Sequence, residues 1–251
     1  MRFDKSNLVI LFVIFAVISF FRGETSIESV ALSLPGLIIA LTLHEYAHAR
    51  KAVKLGDPTP EMQGRVSFSP LAHLDPIGTI CLLFGGFGWG KPVVINPTNF
   101  KNPEKDGAKV AAAGPLMNLL LAIVFAIIYG VHILFGIKSN HAELINGDLY
   151  VDTTGAWFVL SQIIVNAMIL NVGLAVFNLL PFPPLDGSKI YRAFLKGKAK
   201  EFLYTLENYS WIFIMILFIT GIASYVIGPI VDLFSTYVLV PIINYIIQLG
   251  I

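Results

Sequence analysis

Residues 44 to 48 read His44-Glu45-Tyr46-Ala47-His48 and sit inside an apolar stretch. On a helix, positions four apart share a face, so His44 and His48 point the same way. Two imidazoles on one face can bind one zinc ion, and Glu45 beside them can accept a proton from a water held there. A carboxylate and two imidazoles are costly in hydrocarbon. Ionisable residues within a membrane span therefore mark a functional site by default.

The elements that must carry these residues are membrane helices. The chain has 251 residues, of which 56% are hydrophobic and 13% charged, against about 25% charged in ordinary soluble domains. Its mean hydropathy is +0.76. A formal net charge of only +1 argues against a nucleic-acid partner. The single Cys81 excludes an internal disulfide and reads as a packed core thiol. The apolar segments are Leu8–Phe21, Val30–Arg50, Ile77–Phe87, Val110–Phe135, Ala156–Leu180, Trp211–Ile227 and Ile230–Leu249. A span needs roughly 20 apolar residues. Leu8–Phe21 follows Arg2 and Lys5 without an A-x-A-like site after it, so it reads as a retained helix, with a signal peptide as the alternative. Ile77–Phe87 is too short to cross and runs into a glycine-rich stretch, Gly85 to Gly90, which suits a re-entrant or interfacial piece. Gly228-Pro229 and Asp232 interrupt the last segments and leave their crossing open. The expected fold is an all-α polytopic membrane protein with five or six transmembrane helices and a re-entrant, β-like segment around 64–95, forming a single domain over 1–251.

Loop charges fix the orientation. Arg2 and Lys5, then Arg50, Lys51 and Lys54, then Lys91, Lys101, Lys105 and Lys109, then Lys189, Arg192, Lys196, Lys198 and Lys200 all fall on one side if Ile77–Phe87 does not cross. The opposite loops hold only Arg22 and Lys138 among several acidic residues. By the positive-inside rule the basic side is cytoplasmic, so the N-terminus is cytoplasmic in a multi-pass protein of the cell membrane. His44 and His48 then lie just inside the cytoplasmic face. A catalytic zinc site needs a third protein ligand and an open position. Glu143, Asp148 and Asp152, and equally His132 and His141, fall toward the wrong side. The candidate at the right depth is Asp186, in Asn178-Leu179-Leu180-Pro181-Phe182-Pro183-Pro184-Leu185-Asp186-Gly187. Three prolines break the helix there, and freed backbone is tolerated at that depth only where it lines a polar cavity. A plain turn after the prolines is the competing reading of Asp186-Gly187.

H-E-x-x-H on an early helix with N-x-x-P-x-x-P-x-D-G on a later one resembles the site-2 protease family of intramembrane zinc metalloproteases. Gly64 to Gly78, Gly86 to Pro92 and Gly114-Pro115-Leu116-Met117-Asn118 are similar to its compact subgroup, which lacks PDZ and CBS domains. The resemblance implies that His44, His48 and Asp186 bind Zn2+, that Glu45 is the general base, and that Asn178 faces the site and helps hold the substrate or the oxyanion. It implies a substrate that spans, or is anchored in, the lipid bilayer, cut within or near its transmembrane segment. The oligomeric state is not fixed by the sequence.

Other roles remain open at this point. Asn118, Asn166 and Asn171 suit interhelical hydrogen bonds, and Asn178 shares a face with Asn171 seven residues earlier. His73 is either a structural histidine or an accessory metal or regulatory ligand. The glycine-rich run is either an interfacial anchor around Trp89 or an edge that pairs with an unwound substrate. At the level of function, three alternatives stand beside the protease. One is another membrane metalloprotease architecture with a glutamate as third ligand. Another is a zinc-binding membrane protein without catalysis, and the third is an ion transporter that would favour paired broken helices.

Overall fold

Ser26 starts the first described helix of the computed structural model. Its hydroxyl accepts the Ser29 N–H while the Ser29 side chain reaches back to the Ser26 N–H, so two otherwise orphaned donors are satisfied together. The helix, α1 (Ile27–Lys54), runs 28 residues, about 42 Å against a hydrocarbon core of about 30 Å. Lys51 and Lys54 close it, the right charge for the negative end of its dipole. The structure describes residues 26–85, 89–145, 148–210, 214, 216–217 and 220–250. The expected helix over Leu8–Phe21, the middle of the glycine run and parts of Trp211–Ile227 lie outside the described residues.

A short helix, α2 (Thr59–Met62), and a 3-10 turn at Pro70–Ala72 lead to α3 (Pro76–Gly85), whose 10 residues extend about 15 Å and fall well short of a span. The stretch around it is β-like as the sequence suggests. Leu74 pairs with Gly90 in an antiparallel bridge, and the Lys91 N–H donates to the His73 carbonyl at 2.7 Å. After a 3-10 turn at Pro97–Asn99, Asn102 caps α4 (Pro103–Lys138), the longest of the described helices. A hairpin of β1 (Ala142–Ile145) and β2 (Asp148–Val151) follows, paired antiparallel from Ala142↔Val151 to Ile145↔Asp148. Next come α5 (Gly155–Leu179), α6 (Asp186–Arg192) and α7 (Lys198–Glu207). The chain ends in α8 (Ile222–Phe234), a π-helical turn at Ser235–Leu239 and α9 (Val240–Gly250).

Four of these helical stretches are long and apolar enough to cross a membrane: α1, α4, α5 and the continuous run Ile222–Gly250. The last is a correction of detail. The expected break at Gly228-Pro229 is absent, and Pro229 sits inside α8. The helix begins instead at Gly221, whose φ of 72° supplies the left-handed turn that glycine takes without strain. Neighbouring helices and local π adjustment accommodate an interior proline in a membrane helix.

Helices α1, α4 and α5 pack on one another, with α9 against α4 and α8 against α5. The main core is made by Ala122, Ala126 and Ile133 of α4, Met168, Val172 and Val176 of α5, and Leu239, Ile243 and Ile247 near the C-terminus. Small residues such as the alanines let backbones approach closely, the usual device where lipid competes with side chains for apolar contact. Leu116, Leu120, Val124, Ile128, Val131 and Phe135 remain exposed along α4, as a lipid-facing surface requires. The chain is an all-α membrane protein.

Candidate metal centre

The cytoplasm-proximal end predicted for α1, the start of α4 and the break after α5 meet at one point. His44 and His48, one turn apart on α1, are both buried, and Asp186 at the start of α6 is buried against them. His44 Nε2 lies 3.2 Å and His48 Nε2 3.0 Å from Asp186 Oδ2, and the two Nε2 atoms are 3.0 Å apart. Among the described residues this is the one group of three such side chains that could hold a metal ion. The Pro181 to Leu185 bend turns the chain back so that Asp186 reaches the α1 histidines, as topology requires of a ligand from the end of α5.

The remaining ring nitrogens are already committed. His48 Nδ1 is 2.7 Å from the Val110 carbonyl, and His44 Nδ1 is 2.5 Å from Asn118 Oδ1. Both partners are acceptors, so each Nδ1 carries the hydrogen and donates it. In a neutral ring each Nε2 then presents a lone pair, and both lone pairs face a carboxylate oxygen. That convergence calls for a cation at its centre. A tetrahedral zinc with bonds of about 2.0–2.1 Å holds its ligand atoms roughly 3.3 Å apart, and the observed spacings are close to that. Two imidazoles and a carboxylate are a known catalytic zinc set that leaves a fourth position open.

Gly114 explains how α4 comes so near. A Cβ at this position would lie 2.4 Å from His48 Nε2 and 2.6 Å from His44 Nε2, where only hydrogen or a bound ion can be. The next residue, Pro115, removes the N–H that would bond the Ala111 carbonyl. The helix ladder is thus interrupted beside Val110, whose carbonyl turns to His48.

Residues 32–222 match the sequence model of peptidase family M50. The chain belongs to this family. The "Putative zinc metalloprotease YwhC" of Bacillus subtilis is similar, at 38% identity over 196 residues, covering 78% of this chain and 84% of that protein. The "Putative zinc metalloprotease Rip2" of Mycolicibacterium smegmatis is 26% identical over 194 residues, 75% of this chain and 67% of its own. Its namesake from Mycobacterium tuberculosis strain H37Rv is 27% identical over 191 residues. No solved structure gives a significant match. The chain is a zinc metalloprotease of the M50 type, as the sequence resemblance implies, and its donor set fits that metal.

The other expected site residues fall in this M50 peptidase as follows. Glu45 is half-buried next to His44, and its Oε2 accepts the Val93 N–H at 3.1 Å. The Gly90–Val93 stretch therefore runs over the glutamate. Asn178, near the end of α5, donates one amide hydrogen to the Leu174 carbonyl at 3.0 Å, and among the described residues it has no hydrogen bond to the three clustered side chains. His73 is fully buried with Nε2 2.8 Å from the Ser67 carbonyl, a tether within its own loop rather than part of the metal cluster. Cys81 packs with Leu185 and Ile214, directly behind the Asp186 turn.

Two functional contacts were not anticipated. Asn118 and Asn171 are interhelical as expected, but Asn118 also touches His44 directly. A polar residue in an apolar span was the visible signal; its partner was not. The Val110 carbonyl left no trace at all, because every residue type carries one.

Proposed function

We propose that this M50 peptidase hydrolyses peptide bonds within or near the transmembrane segment of membrane-spanning or membrane-anchored proteins. His44, His48 and Asp186 hold the zinc, Glu45 is the general base, and Asn178 stabilises the oxyanion or the bound substrate. The observation that carries this reading is the convergence of His44 Nε2, His48 Nε2 and Asp186 Oδ2 at 3.0–3.2 Å, with both histidines held from behind at Nδ1. The third position is an aspartate, which favours this architecture over one with a downstream glutamate. The adjacent carboxylate of Glu45, which ligation alone does not need, favours an enzyme over a silent zinc binder.

Zinc held by these residues would polarise the scissile carbonyl and make a water acidic enough to react near neutral pH. Glu45 takes that water's proton and returns it to the leaving amine. The Val93 N–H fixes one oxygen of Glu45, and the other lies beside Gly90. Asn178 has a second amide hydrogen beyond the one given to Leu174, and one oxyanion donor is worth about 3 kcal/mol. A substrate helix hides its carbonyls in its own hydrogen bonds, so it must unwind before a carbonyl reaches the zinc. The extended backbone near Gly90 is suited to hold such a strand. The site opens to the cytoplasm in a single domain embedded in the cell membrane, and the excess of basic loops on that side supports this orientation.

The test is Glu45→Gln. The purified variant keeps about one zinc per chain, while cleavage of a membrane substrate falls by more than about 100-fold. Comparative membrane proteomics of parent and variant cells supplies the substrates as uncut transmembrane proteins that accumulate. Retained proteolysis in Glu45→Gln removes the general-base assignment.

A further inference from the structure

His44 can carry its single hydrogen on either ring nitrogen when neutral, and only one choice leaves Nε2 free for a metal. The surroundings of Asn118 decide which. Its amide nitrogen spends both hydrogens: one on the Ala40 carbonyl at 3.2 Å, the other on Asn171 Oδ1 at 2.8 Å. The amide therefore cannot be turned over. Its oxygen must face His44 Nδ1, 2.5 Å away, and that oxygen can only accept.

Asn171 is oriented in turn. Its own amide nitrogen donates to the Ala167 carbonyl at 2.8 Å, one turn back on α5, which leaves Oδ1 pointing at Asn118. The donations thus run in one direction, from the ring on α1 through Asn118 and Asn171 to the backbone of α5. Both asparagines are fully buried, so neither can exchange its partner for water. A half-satisfied network at this depth would be costly, and a fully satisfied one specifies a single arrangement.

Helix spacing makes the chain possible. Gly36 crosses Ala167 so closely that a Cβ on Gly36 would lie 2.5 Å from the Ala167 Cα. One turn further along each helix are Ala40 and Asn171, and one turn beyond Ala40 is His44. The crossing at Gly36 brings α5 near enough for Asn171 to reach the Asn118 amide beside Ala40. The same face of α5 carries Asn178 two turns on.

We propose that Asn118 and Asn171 are positioning residues: together they hold His44 in its Nδ1–H form and so present Nε2 to the metal. The inference rests on the metal reading of His44 given above. It differs from a packing role, because a packing role would be met by any side chain of similar size.

The experiment uses full-length protein with 15N-labelled histidine in detergent micelles. Two-bond 15N–1H correlations report which nitrogen of His44 is protonated in metal-free protein, and chelator competition reports zinc affinity. In Asn118→Leu, close in size but without an acceptor, His44 loses its Nδ1–H preference and zinc binds about 10- to 100-fold more weakly, the usual effect of removing an outer partner of a ligand histidine. Asn118→Asp keeps an acceptor toward Nδ1, so the Nδ1–H form is retained, while its second oxygen faces the Ala40 carbonyl and Asn171 Oδ1 in place of a donor and zinc affinity stays below the parent's. Asn171→Leu does not touch His44 and guards against misfolding of the first variant. It gives mixed tautomers and a smaller loss of affinity, still within about tenfold. If Asn118→Leu and Asn171→Leu both keep the Nδ1–H form and bind zinc as the parent does, the proposal is wrong. If the parent itself binds no zinc, the failure lies with the metal reading, and the tautomer measurement still decides the orientation of His44.

Discussion

Each imidazole of the pair is anchored at Nδ1 and presented at Nε2, so the third corner depends on Asp186 alone. If the three side chains share a zinc ion as proposed, removing Asp186 takes away one ligand and the only negative charge in the cluster. Asp186→Ala is expected to bind zinc more than about 100-fold more weakly, beyond the 10- to 100-fold typical of losing an outer partner, with metal content measured on purified protein. Full zinc and activity in this variant would exclude Asp186 as a ligand. Gly114 makes the complementary case by sterics. Its Cβ would meet His48 Nε2 at 2.4 Å, so Gly114→Ala is expected to displace the ring and lose zinc while helix content by circular dichroism stays unchanged. Normal zinc binding in Gly114→Ala would mean that α4 stands further from the histidines than described.

At the scale of elements, one buried carboxylate holds the approach to the site. Asp57 follows α1 and is fully buried. It accepts from the Thr59 hydroxyl and N–H, from the Asn99 amide and from the Asn96 N–H, joining the end of α1 to the loop that starts α4. Burial opposes its charge, but these hydrogen bonds outweigh it and hold the Asp57 carboxyl below the usual carboxylate range. A lowered folded-state value means that Asp57 stabilises the fold fully above the unfolded value of about 3.9. That contribution is lost as pH falls through the folded value. Asp57→Asn should therefore unfold more easily at neutral pH, by about 2 kcal/mol, and lose less than the parent on acidification below pH 4. Identical acid limbs in thermal unfolding would count against the tether. Its parts also show where sequence reading stops. The spans expected over Val30–Arg50, Val110–Phe135 and Ala156–Leu180, the short α3 and the bend before Asp186 were legible, because apolar run length and proline chemistry are local. The β1–β2 hairpin is absent from the expected elements although Asn146-Gly147, a strong hairpin signal, lies between its strands. The start of α8 at Gly221 rather than a break at Pro229 could not be read, since tolerance of proline depends on neighbouring helices. The approach of Asn118 to His44 is likewise a matter of register between helices, which one sequence does not display.

For the whole molecule, orientation in the bilayer decides which compartment supplies water to the zinc and receives the cut end. The antiparallel course of α1, α4 and α5 places the metal cluster, Lys54 and Lys105 toward one end and the β1–β2 hairpin toward the other. The orientation proposed above puts the lysine end in the cytoplasm, since only Arg22 and Lys138 of the 17 Lys and Arg residues fall in opposite loops. Cysteine labelling in intact cells can test this cleanly. The native Cys81 is 2% exposed, so an introduced cysteine reports almost alone. Lys105 is exposed beside the start of α4, and Tyr150 is 56% exposed on β2. A membrane-impermeant maleimide should label Tyr150→Cys in whole cells, whereas Lys105→Cys and Lys196→Cys should react only after permeabilisation. Labelling of Lys196 from outside together with Tyr150 would break the threading that carries the chain from α5 to Asp186. Labelling of all three in the reverse sense would keep that threading, since the histidines and Asp186 would still meet. It would move the site to the outer face and overturn the cytoplasmic mouth alone.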